Sequence, residues 1–126
     1  MSIESTIKQD LNTILRTVTG ELVLSDLKQA LTESILHPDF KTNMHATWDL
    51  TDADISKWSK TELIEAVEFI RSSSESRGDN YKIVIVAPED LSFGISRMFE
   101  AFGDELPISI RVLRNIEEAY QYLEGK

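Results

Sequence analysis

The stretch WDLTDADISKWSKTEL, residues 48–63, brings Asp49, Asp52, Asp54 and Glu62 together with Thr51, Ser56, Ser59 and Trp58. Three kinds of chemistry use such residues. Carboxylates at alternate positions bind cations, and Asp52, Asp54 and Ser56 begin as a calcium loop begins. That loop needs glycine at its sixth position and glutamate at its twelfth. Lys57 and Leu63 stand there instead. Asp49 and Asp52 remain as a two-carboxylate magnesium candidate, and a metal-dependent enzyme on this loop is the weakest of the functional readings. A phosphate on Ser59, or next on Ser56, would sit at a helix start, where free N–H groups and the helix dipole favour an anion. The third use is structural. Ser59 and Glu62 make the S-x-x-E capping box, with Trp58 before the cap and Leu63 at the fourth helical position as a hydrophobic staple. This last reading accounts for four residues with one pairing.

Candidates for catalysis are few. The two histidines are His37, before Pro38 at a helix end, and His45, at the start of a strand. No Gly-x-Ser-x-Gly elbow occurs, and the five glycines are scattered rather than gathered in a phosphate loop. The absence of cysteine excludes disulfides, thiolate zinc sites and cysteine nucleophiles. A non-catalytic protein without a cofactor or resident metal is the expectation.

The elements that must position these residues follow from periodicity. Residues 3–9 and 13–19 read as a hairpin, with Ile14 and Val18 facing inward and Arg16 an ill-fitting member of the same face. Ser25 is a cap candidate for a helix carrying Leu27, Ala30, Leu31 and Ile35. Residues 44–50 form the third strand. Leu63, Ala66, Val67 and Ile70 mark the next helix, and Ile83 to Val86 a strand covered on both faces. Ile95, Met98, Phe99 and Phe102 stripe a further helix. Ile108, Ile110 and Val112 alternate as an edge-side strand, and Asn115 with Glu118 caps the last helix. The order ββαβαβαβα predicts an α/β domain over residues 1–126, a mixed, largely parallel five-stranded sheet with four helices. Ligands of such sheets sit beyond the carboxyl ends of the strands. Here the loops at residues 50–59, 88–92 and 114–115 stand there.

The pieces TGELVLSDLKQAL, HATWDLTDAD, YKIVIVAPEDLSFGISRMFEAF and IRVLRNIEEAYQYL, in this order and spacing, resemble the SpoIIAA-like family. That family is related to STAS domains and distantly to CRAL-TRIO lipid-binding domains. The resemblance implies a regulatory or binding module, with a phosphorylated serine where the third strand meets the following helix. An Asp-Ser-Ser/Thr-Gly-type motif marks that serine in the family; this chain reads LTDADISKWS, so Ser59 and then Ser56 are its phosphorylation candidates.

The charge balance is 13 basic against 22 acidic residues, a net −9. A surface this acidic repels nucleic acid. No apolar run approaches the roughly twenty residues of a membrane span, and MSIESTIKQDLN lacks the basic start and apolar run of a signal peptide, so a cytoplasmic protein is expected. The leading functional expectation is docking of a protein partner on the loop edge. Asp49 and Asp52 would supply an acidic rim, and Trp58, Leu91 and Phe93 an apolar centre. The alternative is a carrier of a small hydrophobic ligand or lipid. The hairpin edge is open to pairing in a homodimer. If Ser59 caps the helix, Ser59→Ala lowers the unfolding free energy by about 1 kcal/mol; urea denaturation reads this, and an unchanged midpoint would place the helix start elsewhere.

Overall fold

The computed structural model describes residues 2–125. Five strands, β1 Ser2–Lys8, β2 Thr13–Glu21, β3 His45–Asp54, β4 Lys82–Val86 and β5 Ser109–Leu113, form one sheet in the order β1-β2-β3-β4-β5. A single 3-10 turn, Gln9–Leu11, joins β1 antiparallel to β2. Asn12 closes it in the left-handed conformation that asparagine tolerates. Every later pairing is parallel. The helices are α1 Leu24–Ile35, α2 Lys60–Ser72, α3 Ser74–Arg77, α4 Asp90–Phe102 and α5 Ile116–Leu123.

With crossovers right-handed, three successive steps in one direction across the sheet put α1, α2 and α4 on the same face. The main core lies there. Ile14, Val18, Ala46, Trp48, Ile83, Ile85 and Val112 of the sheet pack with Leu63, Ala66, Val67, Ile70 and Phe99 of the helices. On the opposite face α5 packs Ala119 and Leu123 on Val84 and Val86. Residues 83–86 therefore alternate between two apolar layers, which is why that run is apolar throughout. Beside them, the Thr13 and Thr47 hydroxyls satisfy each other at 3.0 Å.

The class of fold is as the sequence predicts, with three corrections. Among the described residues there are five helices rather than four, because the serine-rich stretch at residues 71–80, whose composition favours a turn, winds one more turn, α3, after a break at Ser73. The cap of α1 is not Ser25, which lies inside the helix. Val23 is the cap residue, and Asp26 reaches back to its N–H at 3.2 Å. The third strand does not stop at residue 50. β2 extends to Glu21 and offers ladder partners as far as Asp54, with one extra residue of β3 accommodated between Thr17 and Thr19. Aspartate is a poor strand former, yet the backbone pairing carries these residues into the sheet. The loop predicted over residues 50–59 thus shrinks to the few residues after Asp54. That turn is organised by Asp54 Oδ1, which accepts from Ser56 N at 2.9 Å and Ser56 Oγ at 2.6 Å. These bonds hold the Asp54 carboxyl below its ordinary range.

The capping box of α2 forms as read: Ser59 N donates to Glu62 Oε1 at 3.0 Å and Glu62 N to Ser59 Oγ at 3.3 Å. So does the cap of α5, where Glu118 N donates to Asn115 Oδ1 at 2.9 Å. At the other end of the sheet, His45 Nδ1 accepts from Lys82 N at 3.0 Å, tying β3 to β4. Burial first, then the charges of Lys82 and Arg77, lower the His45 pKa from 6.5. The unfolded chain therefore takes up this proton before the folded one does. The contribution is complete above about pH 6.5 and is lost as pH falls through the lowered folded value. Urea midpoints measured from pH 7.5 down to 5 are expected to fall, and less steeply in His45→Asn; equal slopes would assign the effect to other groups.

Candidate functional site

Between the helical layer and the sheet lies a partly open cavity of about 270 Å³. Its roof comes from α1 through Leu27, Leu31 and Ile35, and from α2 through Leu63 and Ile70. The sheet supplies Ala46, Trp48, Leu50, Ile83 and Ile85, and α4 supplies Ile95 and Phe99. Strand alternation explains the floor: residues 46, 48 and 50 share a face, as do 83 and 85. The volume lies near the lower end of small-molecule pockets, roughly 300 Å³ upward. Arg77 is the one charged residue on the lining among the described residues.

Two buried arginines give the site its electrostatics. Arg16 is 0% exposed and Arg77 3%. The Arg77 guanidinium rests on the rings of Tyr81 at 4.0 Å and Phe40 at 5.0 Å. Arg16 lies behind the lining, 4.7 Å from the Trp48 ring. Its Nη2 donates to Ser34 Oγ, which in turn donates to Ala30 O at 2.7 Å. Among the described residues, Arg16 Nε and Nη1 and Arg77 Nη1 and Nη2 have no hydrogen-bond partner. Neither side chain makes an ion pair among the described residues. Burial, and then the Arg77 charge, pull Arg16 down to about 9. Burial also lowers Arg77 and raises the Tyr81 hydroxyl. An uncompensated interior charge costs on the order of several kcal/mol, and ring contacts return only about 1–2 kcal/mol each. The Ser96 hydroxyl, also on the lining, is a further buried polar atom without a partner.

The residues singled out from sequence are spread over three places. Trp58 borders the cavity, and its Nε1 donates to Leu22 O at 2.6 Å, so it is a strut between the end of β2 and the start of α2 as well as a neighbour of Leu63 on the lining. Phe93 lies under Arg114, whose guanidinium sits 3.8 Å from the ring and binds Asp90 and the Pro88 carbonyl. Leu91 is 62% exposed at the start of α4. Neither Phe93 nor Leu91 reaches the cavity. Asp49 and Asp52 lie on β3 opposite Thr17 and Thr19, and Asp49 Oδ1 is engaged by Thr51 N and Oγ1 at 3.1 and 2.6 Å. Among the described residues no group of three or more His, Asp or Glu gathers as metal ligands do. The hydroxyls of Ser59 and Ser56 bond Glu62 and Asp54 respectively.

The sequence allows a hydrophobic-ligand carrier but does not place its pocket, gives no signal for Arg77, and marks Arg16 only as a misfit. That misfit was the available signal. A cation flanked by Ile14 and Val18 on an inward strand face is the kind of local conflict that marks a functional site.

The architecture is that of a SpoIIAA-like α/β fold. The chain is similar to a solved structure from Shewanella loihica PV-4, an uncharacterised protein of the DUF3478 family with a SpoIIAA-like fold. The two share 18% identity over 97% of this chain and 92% of that one, with a TM-score of 0.55. No protein-family model matches the chain, and no curated protein matches it. Among the described residues no helix is long and apolar enough to cross a membrane.

Gly78 sets the position of Arg77. Its φ is +97°, and an added Cβ would collide with Asn43 Oδ1 and the Asn43 backbone nitrogen. That approach lets Asn43 N donate to the Arg77 carbonyl at 3.0 Å and Asn43 Oδ1 accept from Asn80 N at 3.0 Å. Gly78→Ala is expected to destabilise the protein by about 1–3 kcal/mol from backbone strain alone, measured by urea denaturation; an unchanged midpoint would mean that the Asn43 clasp yields freely.

Proposed function

We propose that this chain is a non-catalytic binding module of the SpoIIAA-like, STAS-type class, and that its ligand is a small hydrophobic molecule held between the helical layer and the sheet. The carrying observation is the cavity of about 270 Å³, walled mainly by aliphatic and aromatic side chains. An apolar void left unfilled costs about 24 cal/mol per Å³ where it is fully enclosed. Even part of that cost is large beside the about 5–15 kcal/mol that holds a domain folded. A ligand that fills the space recovers it. A second reading, docking of a protein partner at the carboxyl edge of the sheet, is favoured by Leu91, which exposes 62% of its surface there. Its check is co-purification of a partner with the native chain and its loss with Leu91→Asp.

The ligand reading is tested by thermal melting of delipidated protein with and without 1-decanol. A saturable rise in Tm is expected, as binding to the folded state alone stabilises by about 2.7 kcal/mol at a hundredfold excess over Kd. Leu31→Trp, which fills the cavity from α1, should melt no lower and lose the response. A Tm that ignores 1-decanol, or that rises equally in Leu31→Trp, would overturn the reading.

A further inference from the structure

The cavity wall is largely apolar, yet among the described residues its one charged side chain, Arg77, is a cation without an ion-pair partner. The chain carries 22 carboxylates, and among the described residues none pairs with Arg77 or with Arg16 behind it. Among the described residues no carboxylate stands on the lining. The rings of Tyr81 and Phe40 attract the guanidinium but accept none of its N–H bonds, so Nη1 and Nη2 are left over. A neutral oil would leave those donors as they are. An anion with an apolar tail would satisfy the donors and the wall together, and a planar carboxylate matches the fork of a guanidinium.

We infer that the ligand is a medium-chain carboxylate, its tail against the apolar lining and its headgroup on Arg77, with Arg16 supplying a second positive charge from behind. This rests on the cavity being a ligand site. The volume suits the chain length: about 270 Å³ is the liquid share of roughly nine water molecules at about 30 Å³ each, the scale of an eight- to ten-carbon chain. The two guanidinium nitrogens are closed off from water in this geometry, so the carboxylate meets them after a turn of the Arg77 side chain. Binding involves no covalent step. The acidic surface, net −9, disfavours anions at long range, so selectivity for the carboxylate belongs to the local pair of cations.

Both tryptophans, Trp48 and Trp58, border the cavity, so intrinsic fluorescence reports occupancy. Delipidated protein is titrated with decanoate, 1-decanol and decyltrimethylammonium, which share a tail and differ in headgroup charge. Decanoate is expected to bind about tenfold or more tighter than 1-decanol, the gain of a charge-assisted hydrogen bond, and the ammonium weakest. Arg77→Met should keep 1-decanol binding, bring decanoate to parity with it, and melt no lower than the native chain. Equal binding of decanoate and 1-decanol would overturn the carboxylate inference while leaving the hydrophobic-ligand reading standing. No binding of any of the three would overturn both. Retained preference in Arg77→Met would show that Arg77 does not serve as the headgroup site.

Discussion

Three crossovers stepping the same way across one sheet constrain everything else in this protein. Their common hand carries α1, α2 and α4 to a single face, and leaves the other to α5. The sheet face beneath the three helices must then be apolar from β2 to β5. Arg16 is the exception, because strand alternation gives it no alternative: it stands between Ile14 and Val18, both buried. A layer of three helices over a twisted sheet need not close everywhere, and here the space beneath α1 and α2 stays open as the cavity.

The carboxyl edge of the sheet is tied down by local devices. Trp58 bonds the Leu22 carbonyl, so the end of β2 and the start of α2 are held together. Ser59 and Glu62 fix where α2 begins, and Asp54 with Ser56 shapes the turn between. The aspartate-rich stretch is thereby accounted for by hydrogen bonds within itself. At the opposite edge, Gly78 and Asn43 clasp the entry to β3 against the exit of α3. One edge thus contributes Trp58 to the cavity lining, and the other positions Arg77 on its wall.

Under the proposed function the same side chains bear on stability and on binding, in opposite directions. Arg77 and Arg16 are held by rings and a serine rather than by carboxylates, an arrangement that costs the folded chain on the order of several kcal/mol. Positions that lower stability without a structural return are where function is most often carried. Leu31, Trp48 and Ile70, by contrast, would serve an ordinary core equally well.

Local pattern in the amino-acid sequence was enough for the class of fold, the number of strands, the two capping pairs at Ser59–Glu62 and Asn115–Glu118, and the burial of residues 83–86 on both faces. Each depends on residues within a few positions of one another, where spacing and hydrogen-bonding chemistry decide. Tertiary structure alone decided the rest. The extension of β3 to Asp54 needed the partner edge of β2. The cap at Val23 rather than Ser25 depended on where the chain leaves the sheet, and α3 formed in a stretch whose composition reads as a turn. The separation of Trp58 from Phe93, and the meeting of Arg77 with the wall built by Trp48 and Leu31, join residues tens of positions apart. A cavity is the space that distant side chains fail to fill, and no local pattern encodes it.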